Sequence, residues 1–248
     1  MRGSSGAVLL QQGDFVTKVS DATDREVAWL TQAQAIGFVD GVERVGLRDV
    51  GVGRYTMRHI VGHLATHEPT TAVVTRLYGQ TKEWAKVAAT SNATWHSYIK
   101  RLHEHAIIAD SSIITGAVQL LANSKPLPST FCHGDLTLEN VIIGFDGVAV
   151  LIDPNYSTDL FQSWLLDCGK LLQSTHTDYH AIFDSNASVC LAQQDKALCE
   201  LLIADGIYID SLVACLSHII RLAKYKRTEI DAVETLAMRL IGELECLS

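Results

Sequence analysis

The sequence of 248 residues has no long hydrophobic run and few charged side chains. Charged residues make up 19% of it and hydrophobic residues 48%, which is typical of a globular protein, because a disordered chain lacks the apolar surface to offset its ordering entropy. No apolar run approaches the roughly 20 residues that a membrane span needs. Residues 1–6 are small and polar, without the basic and apolar stretches of a secretory signal. The sequence therefore predicts a cytoplasmic globular protein with no membrane partner.

Basic residues are also scarce, with 20 Lys and Arg against 28 Asp and Glu and a net charge of −8. Proteins that bind duplex DNA obtain most of their affinity from Lys and Arg on phosphates. The acidic balance therefore argues against a nucleic-acid partner. It suits a cationic small molecule, although solvated surface carboxylates explain it as well. The sequence does not indicate an oligomeric state.

Cysteine pairs of the C-x-x-C type are missing. A chain of this length without a secretory signal needs no disulfides and is expected in a reducing compartment. We therefore expect the cysteines to be small buried hydrophobic residues. They are Cys132, Cys168, Cys190, Cys199, Cys215 and Cys246.

The first 60 residues have the pattern of a small sheet with one helix. A hairpin is predicted with strands at 8–10 and 15–19 around the polar turn 12–14. A helix is predicted to open at 23–26 and to end at Gly37, and another strand is predicted over 54–60.

The rest of the chain is helical in pattern around one central hairpin. Most of the stretch 62–122 has helical periodicity, and Pro126 and Pro128 then break the pattern. A short strand is predicted over 130–132, and a hairpin with strands at 141–143 and 148–152 turns at Asp146-Gly147. Helical pattern then returns over 161–248. The order of elements predicts an α+β fold with two unequal lobes.

The loop that leads into this hairpin carries a chemically informative motif, His133-Gly-Asp135-Leu-Thr-Leu-Glu-Asn140, and Asp153 follows the hairpin. Phosphoryl transfer needs a carboxylate that orients a hydroxyl group and accepts its proton, and oxygen ligands that hold Mg²⁺. Asp135 can serve the first need, and Asn140 and Asp153 the second. The alternative is an ordinary hairpin with a polar turn.

The segment from 130 to about 173 resembles the catalytic core of the aminoglycoside phosphotransferase and choline kinase family, whose fold is kinase-like. The resemblance implies an N-terminal nucleotide-binding lobe over 1–61 and a catalytic and substrate-binding lobe over 62–248. The sequence departs from the family at the start, where too few residues precede Gly3 for the usual first strand, so the N-terminal lobe is expected to be trimmed. It implies Asp135 as the catalytic base, His133 as a support of the catalytic loop, and Asn140 and Asp153 as the Mg²⁺ ligands. It also implies that Asp167 buttresses the loop.

The resemblance extends to a lysine that touches the nucleotide phosphates. Lys18, in the predicted strand 15–19, matches that lysine, and Glu26 matches its ion-pair partner. Alternatively, Lys18 is a solvated residue of an edge strand, and Glu26 belongs to a capping box with Thr23.

Two further segments are candidates for nucleotide binding. A short stretch of small residues resembles the glycine-rich phosphate loop, although such a stretch is also typical of a disordered tail. The segment 55–62 resembles the linker that binds adenine. The residues in question are Gly3, Ser4, Ser5 and Gly6 in the first segment and Met57 and Ile60 in the second.

The family resemblance predicts a phosphotransferase that uses Mg²⁺ and ATP or GTP and acts on a small-molecule hydroxyl group, in an amino sugar, a sugar or an amino alcohol. Gly134 replaces the arginine of protein kinases, and only residues 154–160 separate Asp153 from the next predicted helix. Both features disfavour a peptide substrate. The alternatives are a catalytically inactive module that binds a nucleotide or a partner, and a kinase that acts on protein or RNA.

Overall fold

The computed structural model describes residues 7–93, 95–105, 111–155, 162–177, 179–180, 191–223 and 229–247. The strands are β1 (Val8–Gln12), β2 (Phe15–Val19), β3 (Val42–Arg44), β4 (Leu47–Gly51), β5 (Arg54–Arg58), β6 (Gly62–Leu64), β7 (Ala88–Ala93), β8 (Leu127–Thr130), β9 (Val141–Gly144) and β10 (Ala149–Leu151). The helices are α1 (Thr23–Ile36), α2 (Thr71–Ala85), α3 (His96–His105), α4 (Ser111–Asn123), α5 (Trp164–Thr175), α6 (Ala192–Ala204), α7 (Tyr208–Leu222) and α8 (Ile230–Leu247).

The N-terminal part is a four-stranded antiparallel sheet with α1 against it. Its strand order is β1-β2-β5-β4, and the predicted hairpin of β1 and β2 is present. Lys18 on β2 pairs with Tyr55 on β5, so the two side chains lie on the same face of the sheet. This face also meets α1, which places Glu26 within reach of both residues.

A second sheet joins the N-terminal part of the chain to the central hairpin. Its order is β3-β10-β9-β6, with β3 parallel to β10 and the other pairs antiparallel. The predicted hairpin over 141–152 is present as β9 and β10. Because β3 precedes residue 61 and pairs with β10, the proposed lobes share this sheet.

The C-terminal part is a helical core in which α5 packs against α2, α6 and α7. α5 approaches α7 closely at Gly169, where a Cβ atom would lie 2.7 Å from the Cβ of Ala214. Only glycine fits at this crossing without a shift of backbone. Most side chains of α5 are buried as a result.

In the described part of the chain, no helix is long and apolar enough to cross a bilayer.

An aromatic cluster connects α1 with the central loop. Trp29 stacks on Phe131 at 5.5 Å and meets Trp84 edge-on at 5.9 Å. The indole Nε1 of Trp29 donates a 2.7 Å hydrogen bond to the carbonyl oxygen of Cys132. The cluster therefore fixes the chain at Cys132, just before the loop over 133–140, against α1.

Three element predictions differ from the structure. The strand predicted at 130–132 lies instead at Leu127–Thr130 and includes Pro128, which is tolerated because β8 pairs only with β7 in a two-stranded sheet. The helical pattern over 62–122 is interrupted by β6 and β7. The strand predicted to reach Ile60 ends at Arg58.

The capping box predicted at the start of α1 is absent. The N-cap residue is Ala22, and no side chain caps the helix there. Thr23 is the first helical residue, and its hydroxyl group donates to the carbonyl oxygen of Ser20 at 2.7 Å. The Glu26 carboxylate is therefore available to other partners.

The expectation that all cysteines are buried is wrong for two of them. Three cysteines are buried, namely Cys132, Cys168 and Cys215. Cys199 is half-buried and Cys246 is exposed. Cys190 lies outside the described residues.

Candidate active site

The conformation of the loop over 133–140 depends on Gly134. Its φ is +80°, and a Cβ atom there would collide with the backbone oxygen of Asn155. Left-handed backbone and close approach each favour glycine. The position where protein kinases carry an arginine is thus restricted to glycine in this chain.

Asp167 on α5 holds the backbone of this loop. Its carboxylate accepts hydrogen bonds from the N–H groups of His133 at 2.6 Å and Gly134 at 2.8 Å. Burial raises the pKa of Asp167 to about 7, although the two N–H groups act in the opposite direction. The contact is the one that the resemblance implies for this aspartate.

His133 is buried behind the loop. Its ring lies edge-on to Trp29 at 5.1 Å, and its carbonyl oxygen accepts a 2.9 Å hydrogen bond from the Asn155 N–H. Burial lowers the pKa of His133 to about 4, so the imidazole is neutral at neutral pH. This placement suits a supporting role rather than a reactive one.

Asp135 and Asn140 lie side by side. The Asn140 amide nitrogen donates to the Asp135 carbonyl oxygen at 2.8 Å and to its Oδ2 at 3.1 Å. On the other side, Lys170 Nζ lies 2.9 Å from Asp135 Oδ1. Burial alone would raise the pKa of Asp135, but Lys170, together with Arg221 and His133, outweighs burial and lowers the pKa. Asp135 is therefore a carboxylate at neutral pH.

Lys18 is at the centre of a second cluster of charges. Its Nζ lies 2.9 Å from Glu26 Oε1 and 2.7 Å from Asp153 Oδ1. The Tyr55 hydroxyl donates to Glu26 Oε2 at 2.9 Å. Burial disfavours the charged lysine, but Asp153 and then Glu26 outweigh this cost and raise the pKa of Lys18. Lys18 is thus a buried, ion-paired cation and not a solvated residue of an edge strand.

Asp153 is brought to Asn140 by the hairpin. The Ile152 N–H donates to the Asn140 carbonyl oxygen at 3.0 Å, which fixes the chain just before Asp153. In the described part of the chain, Asp153 is the only residue other than glycine with positive φ, at +52°. Strained backbone of this kind clusters at functional sites. The carboxylate is half exposed.

The two clusters open into one cleft of about 930 Å³. Its lining includes Lys18, Glu26, Asp135, Asn140 and Asp153. A basic group, three carboxylates and an amide therefore face one space that is large enough for a nucleotide.

The other candidates for nucleotide binding have different outcomes. Gly3, Ser4, Ser5 and Gly6 lie outside the described residues. Met57 on β5 and Ile60 after it pack against the apolar core and are not among the residues that line the cleft. Their role in adenine binding stays a prediction.

Two residues of the site were missed by the sequence analysis. Lys170 and Ser174 both face the loop from α5, and the Ser174 hydroxyl oxygen accepts a 3.0 Å hydrogen bond from the Leu138 N–H. The available signal was a lysine inside the apolar run 165–172. A charge in such a run has to be paired, because an unpaired buried charge is too costly.

Comparisons with known proteins inform the fold. No family model and no curated protein matches the sequence. Solved structures that are similar to this chain include three kinases, each with low sequence identity to it. A choline/ethanolamine kinase family protein from Mesorhizobium loti has a TM-score of 0.58 and 14% identity, covering 97% of this chain and 86% of its own.

The other two structures contain ADP. A glucosamine kinase in complex with glucosamine, ADP and inorganic phosphate has a TM-score of 0.59 and 13% identity, covering 97% and 80% of the two chains. An ADP-bound aminoglycoside phosphotransferase has a TM-score of 0.56 and 13% identity, covering 93% and 91%. The chain therefore has the two-lobed, kinase-like α+β fold that these small-molecule kinases share.

Proposed function

We propose that this chain is a small-molecule kinase that moves the γ-phosphoryl group of ATP or GTP to a hydroxyl group, with Mg²⁺ as the cofactor. The observation that carries the proposal is the cleft itself, which brings Lys18, Asp135, Asn140 and Asp153 to one space. These residues come from β2, from the loop before β9 and from the end of β10. The fold is the one that several small-molecule kinases use.

In this proposal Asp135 orients the acceptor hydroxyl group and takes its proton. The carboxylate is ionised and held by Asn140 and Lys170, so it meets the hydroxyl group in a fixed position. Such a residue contributes mainly by positioning, because phosphoryl transfer passes through a loose transition state. Lys18 supplies positive charge to the nucleotide phosphates.

Asn140 and Asp153 are the proposed Mg²⁺ ligands. The donor set fits, because Mg²⁺ prefers oxygen ligands and is usually bound by one or two carboxylates together with phosphates and water. The Asn140 amide nitrogen is occupied by Asp135, which leaves its amide oxygen for a cation. When bound, the ion neutralises the charge of the phosphates during transfer.

The acceptor is proposed to be an amino sugar, a sugar or an amino alcohol. The similar structures are described as kinases of glucosamine, of choline or ethanolamine, and of aminoglycosides. Amino sugars and amino alcohols carry a cation near the hydroxyl group, which agrees with the net charge of −8. A nucleic-acid acceptor is not expected.

The test is release of nucleoside diphosphate from ATP or GTP with Mg²⁺. The wild type is compared with Asp135→Asn and Asp153→Asn, and Asp205→Asn serves as the control because Asp205 pairs with Lys82 away from the cleft. We expect slow release that increases when glucosamine, ethanolamine or an aminoglycoside is added. Both site variants should lose about 10²–10⁴-fold of this rate. An inactive wild type that also binds no Mg²⁺–nucleotide would contradict the proposal.

A further inference from the structure

α5 presents a row of three polar side chains to the loop over 133–138. Asp167, Lys170 and Ser174 are spaced i, i+3 and i+7, which places them on one face of the helix. They contact successive parts of the loop. Asp167 accepts from the N–H groups of residues 133 and 134, Lys170 pairs with the Asp135 side chain, and Ser174 accepts from the N–H of Leu138.

Lys170 is the unusual member of this row, because it is a charged residue in the helical core. Its side chain is 3% exposed, and its Nζ lies 2.9 Å from Asp135 Oδ1 and 3.0 Å from Gln173 Oε1. A buried ion pair is often no more stabilising than a well-packed apolar pair. Stability alone therefore does not account for a lysine at this position.

The position of Lys170 relative to the cleft indicates what it acts on. The residues that line the cleft include Asp135 and Asn140 but not Lys170. Lys170 therefore contacts the loop from behind, and in the described part of the chain its ion pair with Asp135 connects it to the lining of the cleft. The Asp135 carboxylate is held at both oxygens, with Oδ1 at Lys170 and Oδ2 at Asn140.

We propose that Lys170 is a positioning residue of the phosphotransfer site, which fixes the Asp135 carboxylate in the orientation that receives the acceptor hydroxyl group. The inference rests on the function proposed above. It predicts that loss of the Lys170 charge slows transfer and leaves nucleotide binding in place. A residue 1 Å out of position can cost about 10²-fold in rate.

Three variants separate the charge from the bulk of the side chain. Lys170→Met keeps the length of the chain without its charge, and Lys170→Arg keeps the charge. Lys86→Met is the matched control, because Lys86 is exposed and pairs with Glu83 at 2.6 Å on the surface. Each variant is assayed for Mg²⁺-dependent release of nucleoside diphosphate, and its affinity for the Mg²⁺–nucleotide is measured by calorimetry.

We expect Lys170→Met to lower kcat by about 10–100-fold while the KM and Kd for the nucleotide stay within about twofold. Lys170→Arg should recover part of the rate, and Lys86→Met should behave as the wild type. A merely structural lysine would move the two parameters together, or neither of them. A Lys170→Met variant within about threefold of the wild-type kcat would overturn the inference, and so would a KM that changes as much as kcat.

The stability of the variants provides a second measurement. Lys170→Met leaves the Asp135 carboxylate without its cation, so urea denaturation should show a larger loss of stability in the wild-type background than in an Asp135→Asn background. Equal losses in the two backgrounds would contradict the pairing. If Lys170→Met does not fold, Lys170→Gln replaces it with the same thresholds.

The outcomes for the two proposals can be told apart. A wild type that turns over nucleotide beside an equally active Lys170→Met variant overturns the role of Lys170 alone. A wild type that neither binds nor hydrolyses the Mg²⁺–nucleotide overturns the kinase proposal, and the role of Lys170 is overturned with it.

Discussion

Lys18 and Lys170 are two buried lysines that reach the same site from opposite sides. Both are almost fully buried, with side chains 4% and 3% exposed. Lys18 is on a strand and lines the cleft, whereas Lys170 is on a helix and lies behind the loop. Burial and pairing alone therefore do not define the role of a lysine. Lys18 lines the cleft itself, whereas the ammonium group of Lys170 contacts Asp135, which lines the cleft.

The electrostatic surroundings of the two lysines differ as well. Burial disfavours charge at both, but Lys18 has two carboxylate partners, which raise its pKa above the ordinary value. Lys170 has one carboxylate partner, so burial dominates and lowers its pKa. Lys18 has two carboxylate partners, so in the function proposed above Asp153 turns to Mg²⁺ while Glu26 keeps the lysine in place.

The largest effect that separates the two lysines is expected from Lys18→Met. Removal of the ammonium group from the cleft should weaken Mg²⁺–nucleotide binding and lower kcat/KM by about 10²–10³-fold, because it removes a preorganised donor to the phosphates. Calorimetry with a non-hydrolysable nucleotide measures the affinity. If Lys18→Met binds nucleotide as tightly as Lys170→Met does, the distinction between the two lysines is lost.

Gly134→Ala should disturb the side of the site that Lys170 supports. Alanine at φ +80° is strained, and its Cβ atom would collide with the Asn155 oxygen, so the loss of stability should be about 2–3 kcal/mol. Urea denaturation measures it. Gly206→Ala is the control, since Gly206 also has positive φ, at +69°, but no atom within 4 Å of the added Cβ, and it should lose only about 1 kcal/mol. Equal losses would show that the loop tolerates the collision.

Two hydroxyl deletions compare contacts on the two sides of the site, one to the loop and one to Glu26. Ser174→Ala leaves the buried Leu138 N–H without its acceptor and should cost about 1–3 kcal/mol. Tyr55→Phe removes one of the two partners of Glu26, and the other partner, Lys18, remains. This variant should cost about 0.5–1.5 kcal/mol. Denaturation of both variants gives the order. A larger loss of stability in Tyr55→Phe than in Ser174→Ala would contradict this expected order.

The smallest effect concerns the far end of α5, where neither lysine is involved. His176 Nδ1 lies 3.1 Å from Asp195 and its Nε2 lies 2.9 Å from Glu243. Asp195 is the main cause that raises the pKa of His176 to about 11, and Cys199 and Glu243 also contribute. The pKa of His176 in the folded protein is above its value of about 6.5 in the unfolded chain. The protonated imidazole therefore contributes its full stabilisation of the fold below about pH 6.5. This stabilisation is lost as the pH rises towards about 11.

His176→Gln should therefore flatten the fall in stability between about pH 7 and pH 10. Denaturation at several pH values measures the slope. The kcat at neutral pH should stay near the wild-type value, because the contacts of Asp167, Lys170 and Ser174 are retained. An unchanged slope in the variant would show that another group governs this pH range.

The central hairpin and its loop could be predicted because their signals are local. The turn at Asp146-Gly147, the flanking apolar strands and the spacing of Asp135, Asn140 and Asp153 all lie within about 20 residues of sequence. The same holds for Lys18 and Glu26, which are eight residues apart. Local spacing is sufficient where a hairpin or a strand–helix unit brings the residues together by itself.

The errors arose where tertiary contacts outweigh local signals. The capping box at Thr23 is a sound local pattern, but the Glu26 carboxylate is drawn to Lys18 and Tyr55. The proline in β8 suits a strand only because that strand has a single partner. Lys170 could not be assigned, because its partner Asp135 lies 35 residues earlier and meets it only when α5 packs under the loop.

Local sequence patterns were sufficient for the central hairpin, the candidate catalytic loop and the identity of its polar groups. Periodicity and turn chemistry fix these features within short segments. Only the tertiary structure decided which lysine faces the cleft, which faces Asp135, and why Gly134 is needed beside Asn155. Burial creates these differences, because a charge removed from water has to find its partner wherever the packed chain places one.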